Sequence, residues 1–421
     1  MSTIGMVSML YGIYIVVKLY VSFMQAGFVS KAKNQKAVLM MPSKFFKSGR
    51  YSFKKEKIAI VETFFEYVLF IFWMGFGLKW LENIVQIDDL LIKSVVYVDL
   101  FLAINFLLTL PFEIYQKFVL DEEFGFNRST IKLFIQDKLK VIALFAIFGS
   151  LVIYAVSWII YNVESWWFWG FVFVFGVIVL INMIYPTLIA PMFNKFKPLE
   201  DEELKTKIDE LLQKSGFSSN GVYVIDSSKR DTRLNAYFGG LGKSKRVVLF
   251  DTLLQKLSHS ELLAVLGHEL GHFKHKDVYK NIFMLGVMFF ALFYIFANLP
   301  SSLYHAIGID PNAPYSVIVI FLLLSPMFFF FFMPLINFVS RRNEFAADSY
   351  GAELGGRANL RNALLKLVEE NSHFPLSHPL YIFFYYSHPP ILDRLKALGF
   401  EEESEAKEAM KEHCVASDED R

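Results

Sequence analysis

Seven long apolar stretches limit what this chain can fold into. An α-helix needs about 20 mostly apolar residues to cross the hydrocarbon core of a bilayer. Hydrophobic residues make up 54% of the 421 residues and charged residues only 20%, so a lipid-facing surface is expected. The sequence therefore predicts an all-α multi-pass membrane protein with about seven transmembrane helices. The apolar stretches are residues 4–24, 58–81, 95–119, 141–163, 166–193, 282–299 and 315–340.

The charges between these stretches predict the side of the membrane that each segment faces. The loop after the first stretch carries many Lys and Arg residues opposed only by Glu56, whereas the next loop carries Glu82, Asp88 and Asp89. Cytoplasmic loops are enriched in Lys and Arg, so the first loop is predicted to be cytoplasmic. Alternation then places the N-terminus outside, and both residues 194–281 and the C-terminal part on the cytoplasmic side. The membrane is expected to be that of the endoplasmic reticulum in a eukaryote, or the inner membrane in a bacterium.

Four carboxylic side chains fall at membrane depth, namely Glu62, Glu66, Asp99 and Glu113. Such groups are unfavourable in lipid and face either protein or water. Two explanations stay open at this point. One is a water-filled cavity between the helices, and the other is hydrogen bonding from helix to helix.

The order of segments predicts a membrane protein with a soluble part inserted between spans. Residues 1–193 would hold five spans and residues 282–340 two more. Two short strands are predicted at 222–225 and 246–250, where β-branched and aromatic residues cluster, and a helix from about Ser260. The remaining predicted segments are a soluble-type segment at 194–281, helices at 341–400, and a charged tail at 401–421.

Composition narrows the chemistry that the chain can perform. A net charge of +1 gives no support to a nucleic-acid partner. The only cysteine, Cys414, can form neither an internal disulfide nor a thiolate metal cage. Any metal ion must therefore be held by histidines and carboxylates.

The segment His268-Glu-Leu-Gly-His provides such ligands. On a helix His268 and His272 lie one turn apart on a single face, so that both imidazoles reach one ion. Glu269 is placed to act as a general base on a water molecule at that ion. Polar contacts of helical histidines are the alternative explanation, but this pattern favours a catalytic zinc site.

Catalytic zinc takes three protein ligands and leaves one position open. The metzincin continuation is excluded, because His275 and Val278 stand where its glycine and third histidine would be. Glu344 is the predicted third ligand, and Asp348 follows it one turn later on the same helix face. We expect Asp348 to hold a ligating histidine by its second nitrogen or to act as a proton donor.

Further blocks of sequence extend the similarity beyond the zinc helix. With that helix they resemble the CAAX prenyl proteases of the Ste24 type, membrane-embedded gluzincins of peptidase family M48, over nearly the whole chain. The blocks are Leu110-Pro-Phe-Glu-Ile-Tyr, Glu123-Phe-Gly-Phe-Asn, Ala190-Pro-Met-Phe-Asn, Asn235-Ala-Tyr-Phe-Gly-Gly, Val248-Leu-Phe-Asp-Thr, Ser340-Arg-Arg-Asn-Glu-Phe-Ala-Ala-Asp and Tyr386-Ser-His-Pro-Pro-Ile-Leu-Asp-Arg-Leu.

The resemblance implies an architecture and a set of roles. It implies seven spans around a large chamber, with a small α+β zinc protease domain on the cytoplasmic side and one Zn²⁺ per chain. His268, His272 and Glu344 match the zinc ligands and Glu269 the catalytic glutamate. Asn235 matches an asparagine that binds the substrate backbone, on an edge strand. His388 matches a histidine that stabilises the oxyanion.

The implied reaction is cleavage near the C-terminus of a prenylated CAAX protein or peptide at the lipid bilayer. Leu234 stands where the family has a small polar residue, and the stretch before the zinc helix lacks the long insertion of some eukaryotic members. Two alternatives therefore stay open. Besides the prenyl protease, the chain could be a quality-control protease with non-prenylated membrane substrates or, less favoured, a channel or transporter with a structural zinc closed by His275.

Overall fold

The protein is described from a computed structural model covering residues 2–217, 219, 221–239 and 246–400. The predicted charged tail at 401–421 and Cys414 lie outside the described residues. Seven helices in the described part are long and apolar enough to span a membrane, and they are α1 to α5, α9 and α11. In chain order the helices are α1 (Thr3–Ala32), α2 (Pro42–Ile84), α3 (Leu90–Phe124), α4 (Ile131–Asn162), α5 (Trp166–Phe193), α6 (Glu202–Lys214), α7 (Asp251–Leu254), α8 (His259–Lys274), α9 (Asp277–Ala297), α10 (Ser301–Ile307), α11 (Pro314–Gly355), α12 (Arg357–Glu370), α13 (Pro379–Tyr385) and α14 (Ile391–Ala397).

Two spanning helices run further than the hydropathy predicts. Helix α2 begins at Pro42 rather than near residue 58, because the Lys and Arg residues of the basic loop are themselves good helix formers. Helix α11 continues for 42 residues, so the first of the helices predicted at 341–400 is the continuation of the last span rather than a separate helix. No glycine or proline interrupts the sequence between Ser340 and Glu344. The prolines inside α11 are tolerated because neighbouring helices in a membrane protein satisfy the freed backbone groups.

Three of the four carboxylates at membrane depth are bound by polar groups of other helices. Glu66 accepts hydrogen bonds from Tyr11 and Tyr14 and forms an ion pair with Lys18. Ser150 donates to Asp99 at 2.8 Å, and Lys138 to Glu113 at 2.6 Å. Helix-to-helix bonding therefore accounts for these groups. Glu62 instead has an exposed side chain.

A small sheet lies in the segment between α5 and α9. Its strands are β1 (Phe196–Pro198), β2 (Val222–Ile225), β3 (Ala236–Gly239) and β4 (Arg246–Phe250), in the order β1-β2-β4-β3. Strands β2 and β4 are parallel, and the outer pairs β1–β2 and β3–β4 are antiparallel. Strand β3 is thus an edge strand. Both predicted strands are present as β2 and β4.

The apolar residues of this sheet and of α6 and α8 form one core. Its members are fully or almost fully buried, as expected for alternating strand residues packed under amphipathic helices. This core fixes α8 against the sheet and α6. Its central residues are Ile208, Leu211, Val247, Leu249, Leu262, Leu266 and Leu270.

Helices α8 and α11 pack backbone against backbone. A Cβ atom built on Gly271 would lie 2.7 Å from Cα of Ala347, and one on Gly351 would lie 2.7 Å from the backbone nitrogen of His268. No side chain fits at such distances, so glycine is required at both positions. This close contact brings the face of α8 that carries His268 against α11.

Candidate active site

Helix α8 begins with a complete capping box. Ser258 accepts a hydrogen bond from the backbone nitrogen of Glu261, and the Glu261 carboxylate accepts one from the backbone nitrogen of Ser258 at 2.8 Å. Lys366 of α12 donates to the same carboxylate at 2.8 Å. Burial alone would raise the pKa of Glu261, but Lys366 and Ser258 outweigh it and lower that pKa. The first turn of the helix is thereby fixed against α12.

Three side chains predicted as metal ligands converge where α8 meets α11. The ligand atoms of His268, His272 and Glu344 all lie within 4.8 Å of one another. The Nε2 atom of His272 is 3.2 Å from Oε1 of Glu344, and Nε2 of His268 is 3.5 Å from Oε2. His268 and Glu344 are buried. The structure therefore brings Glu344 to two histidines that precede it by 72 and 76 positions in the sequence.

Each histidine is held on its other nitrogen by a carboxylate. Nδ1 of His268 lies 2.8 Å from Oδ1 of Asp348, which stands one turn beyond Glu344 on α11. Nδ1 of His272 lies 3.0 Å from Oδ2 of Asp277, at the start of α9. Burial alone would lower the pKa of His272, but its contacts with Glu344 and Asp277 outweigh it and raise the pKa to about 9. Both rings are thus oriented with Nε2 toward Glu344.

A buried arginine completes this network. Arg394 of α14 donates two hydrogen bonds to Asp348, at 2.8 and 2.7 Å, and its Nη1 atom lies 3.3 Å from Oε2 of Glu344. Burial alone would lower the pKa of Arg394, but Asp348 and Glu344 raise it. Its positive charge therefore offsets the two carboxylates that α11 brings into the interior.

Glu269 faces a cavity of about 520 Å³ rather than the cluster itself. The cavity is lined by α8, the start of β3, α2 and the segment after α12, and it reaches His268 and His388. Burial raises the pKa of Glu269, although the neighbouring His268 and His272 oppose that shift. A carboxylate with a raised pKa beside a cavity is suited to accept and return a proton.

The other two predicted site residues, His388 and Asn235, also line this cavity. Nε2 of His388 lies 3.2 Å from Oε1 of Glu344, and Nδ1 lies 2.9 Å from Oγ of Ser387. Asn235 is exposed immediately before β3, and its Oδ1 accepts a hydrogen bond from the backbone nitrogen of Ala236. The structure thus brings every predicted site residue to one place.

The residues present fit a zinc ion. Two imidazole nitrogens and one carboxylate are one of the common donor sets of catalytic zinc sites. Oε2 of Glu344 is buried and makes no hydrogen bond within the described chain, as expected of an atom that serves a metal. His275 lies outside the cluster, with its ring 6.4 Å from that of Tyr350. Among the described residues the cluster therefore comprises three protein ligands and no fourth, which disfavours a closed structural site.

Sequence reasoning missed Asp277, Arg394 and the glycines of the α8–α11 contact. Asp277 could have been recognised from the sequence. It lies just past the end of the helix that carries His272, where a side chain can fold back onto the last helical turn. Arg394 lies within the sequence block that begins at Tyr386. Its partner Asp348 could not be predicted, because the two residues are 46 positions apart in the sequence. The glycine contact depends on tertiary packing.

Two protein-family models match this chain, one in each half. The model of peptidase family M48 matches residues 198–402, and that of the CAAX prenyl protease N-terminal region, with five membrane helices, matches residues 31–195. The chain belongs to the CAAX prenyl proteases of family M48. It is therefore a membrane-embedded metalloprotease.

Individual members of the family are similar over most of their length. CAAX prenyl protease 1 of Saccharomyces cerevisiae is 36% identical over 73% of this chain and 72% of its own. The homologue of Arabidopsis thaliana is 36% identical over 70% of both chains, and that of Homo sapiens 32% over 73% of both. The crystal structure of Saccharomyces mikatae Ste24p superposes with a TM-score of 0.86 at 31% identity, covering 94% of this chain and 98% of that one.

Proposed function

We propose that this protein is a zinc-dependent endopeptidase that cleaves prenylated CAAX-type proteins or peptides near their C-terminus. The observation that carries the proposal is the meeting of His268, His272 and Glu344 beside Glu269, on the wall of a cavity among membrane helices. The three clustered side chains would hold the ion. Zinc, when bound, supplies Lewis acidity that polarises a carbonyl and makes water nucleophilic near neutral pH.

Glu269 would act as the general base. It follows His268 directly on α8, yet it belongs to the cavity lining rather than to the ligand cluster. From there its carboxylate accepts the proton of the attacking water and delivers it to the leaving amine. Burial favours the protonated form that this second step requires.

His388 would stabilise the negative charge that develops on the carbonyl oxygen. Ser387 and Glu344 contact its two nitrogens, so the ring is positioned at the mouth of the site. The side chain is 61% exposed, which leaves room for a substrate to approach it. A donor in this position acts more strongly in the transition state than in the ground state.

The edge strand β3 would bind the substrate backbone. Pairing with β4 uses one side of β3, and its beginning at Ala236 lines the cavity next to Asn235. An extended peptide added to this free edge would run past Glu269. The amide of Asn235 would then bind a peptide group beside the scissile bond.

Two observations support the choice of substrate and the side of the membrane. The similar proteins of Saccharomyces cerevisiae and Arabidopsis thaliana bear the name CAAX prenyl protease. The basic start of α2 lies at the catalytic end of the molecule, since Lys44 forms an ion pair with Glu369 of α12. If the positive-inside rule holds, the active site faces the cytoplasm, where prenylated proteins are found at the bilayer.

Mass spectrometry of a farnesylated peptide before and after incubation with the purified protein tests this proposal. We expect loss of the C-terminal tripeptide, which zinc chelation abolishes and added zinc restores. The Glu269→Ala variant should keep its zinc and lose nearly all turnover, whereas His272→Ala and Glu344→Gln should lose zinc. Equal cleavage of the farnesylated peptide and its unprenylated counterpart would contradict the proposed substrate class. Normal turnover by Glu269→Ala would contradict the general base.

A further inference from the structure

The cavity has a cationic side chain that the reaction described above does not use. Lys55 of α2 is exposed and lines the same cavity as Glu269. No ion pair or hydrogen bond of its ammonium group occurs within the described chain. Its neighbour Lys54 differs, because it forms an ion pair with Glu123 at 2.6 Å. An unpaired ammonium group in a protein cavity has capacity to bind an anion.

The carboxylate adjacent in sequence to Lys55 is bound by a different side chain. Glu56 also lines the cavity, but it is buried and accepts a hydrogen bond from the hydroxyl of Tyr381 at 2.6 Å. No ion pair joins Glu56 to Lys55 among the described contacts. Burial lowers the pKa of His373, which lines the same cavity, and the positive charges of Lys55 and Arg233 lower it further.

Lys55 lies one helical turn from a residue that contacts the segment before the strand that would bind the substrate. Arg233, two residues before Asn235, donates a hydrogen bond to the hydroxyl of Tyr51 at 2.7 Å. Lys55 follows Tyr51 by four residues on α2, which is one helical turn and about 6 Å along the axis. The segment between is held by Asn371, whose side chain makes hydrogen bonds of 2.7 and 3.1 Å with both backbone groups of Leu234.

The direction of the substrate follows from the free edge of β3. Antiparallel pairing is the more stable arrangement for an added strand. A peptide antiparallel to β3 runs toward the beginning of that strand, so its C-terminal end leaves at Asn235 and continues toward Lys55. Three extended residues span about 10 Å. That is the length of the segment after the cleaved bond in a CAAX sequence.

We propose that Lys55 binds the free C-terminal carboxylate of the substrate and thereby sets the site of cleavage three residues from the end. This inference rests on the proposed function and adds a specificity-determining residue to it. The carboxylate pairs with the ammonium group of Lys55 at the far end of the cavity, while the scissile bond lies at Glu269. A peptide that ends in an amide lacks this contact.

Two farnesylated peptides test the proposal, identical except that one ends in a carboxylate and the other in a primary amide. We expect the wild-type protein to cleave the acid with a kcat/KM about 10- to 100-fold above that of the amide, mainly through KM. Lys55→Met should lower the value for the acid to that of the amide and leave the amide unchanged, and Lys55→Arg should retain much of the preference. Lys57→Met is the matched control, because Lys57 lies on the same helix but packs over the Phe53 ring.

A binding measurement keeps the inference separate from the proposed function. The tripeptide Val-Ile-Met and its amide are titrated calorimetrically into the full-length wild-type and Lys55→Met proteins, with no cleavage required. Tighter binding of the acid by the wild type alone supports Lys55 even if no prenylated peptide is cleaved. Equal binding of acid and amide by the wild type, or an unchanged acid preference in Lys55→Met, would overturn the assignment.

Discussion

Asp348 and Asp277 perform the same task for the two histidines, but they should not be equally important for zinc. Loss of a carboxylate that holds a ligating histidine typically weakens metal binding by 10- to 100-fold. Asp277→Asn should weaken zinc binding and have little other effect. The other partner of Asp277 is the half-exposed Lys280, and surface ion pairs contribute little to stability. The zinc Kd of Asp277→Asn should therefore rise by about 10- to 100-fold, or about 1.4–2.7 kcal/mol.

Asp348→Asn has an additional consequence. It also removes the two charged hydrogen bonds of Arg394, whose side chain is only 9% exposed. Breaking a buried ion pair is unfavourable by about 3–5 kcal/mol. The freed guanidinium recovers part of this free energy by moving closer to Glu344, from which it already lies 3.3 Å away. It then competes with zinc for the Glu344 carboxylate. We expect the zinc Kd to rise by about 1,000-fold or more, with a lowered melting temperature.

Competition with a fluorescent zinc chelator measures both dissociation constants, and thermal unfolding in detergent measures stability on the same preparations. Lys280→Met serves as a control that should leave the zinc Kd within about twofold of the wild type. Equal losses in the two Asp variants would show that the Arg394 pair does not act on the metal site. Wild-type zinc affinity in Asp348→Asn would refute the role assigned to Asp348.

Three further predictions follow from contacts in the site. His388→Ala should lower kcat by about 100-fold or more with little change in KM or zinc content; normal kcat in a destabilised protein would remove His388 from catalysis. Glu261→Gln should lower the free energy of unfolding at pH 7 by about 1 kcal/mol, because the lowered pKa of Glu261 means that its charge stabilises the fold. That stabilisation is present above the unfolded-state pKa of about 4.3 and is lost as the pH falls through the lower folded-state pKa, so the melting curves of variant and wild type should converge in acid. Gly271→Ala should separate α8 from α11 and reduce zinc content measured by mass spectrometry, whereas Gly12→Ala, which meets no neighbour within 4 Å, should not.

The sequence predicts those parts of this protein that depend on local pattern. Span number follows from runs of apolar residues, and the positions of β2 and β4 follow from their composition. The motif and the ligand count point to His268, His272 and Glu344, which the structure brings together. The resemblance adds Asn235 and His388, which local pattern alone would assign to a turn and a helix cap.

What the sequence does not predict depends on contacts between distant segments. Two pairs of residues join elements that are far apart in the sequence, so neither hydropathy nor motif spacing predicts them. These pairs are Arg394 with Asp348 and Asn371 with Leu234. The continuity of α11 is missed because hydropathy ends a span where charges begin, although Arg and Glu are good helix formers. Lys55 is missed because, in sequence, it is one of many lysines in a basic segment.

The unbroken helix α11 makes the third ligand part of a membrane span, and this has a mechanical consequence. A span responds to a thinner or thicker bilayer by tilting or shifting. Since α8 packs against α11 without intervening side chains, the two helices should move as one rigid unit, and His268, His272 and Glu344 should keep their spacing. His388 and Asn235 lie on other segments and would be displaced relative to that unit. In vesicles of increasing acyl-chain length, the turnover rate should therefore change well before any zinc is lost.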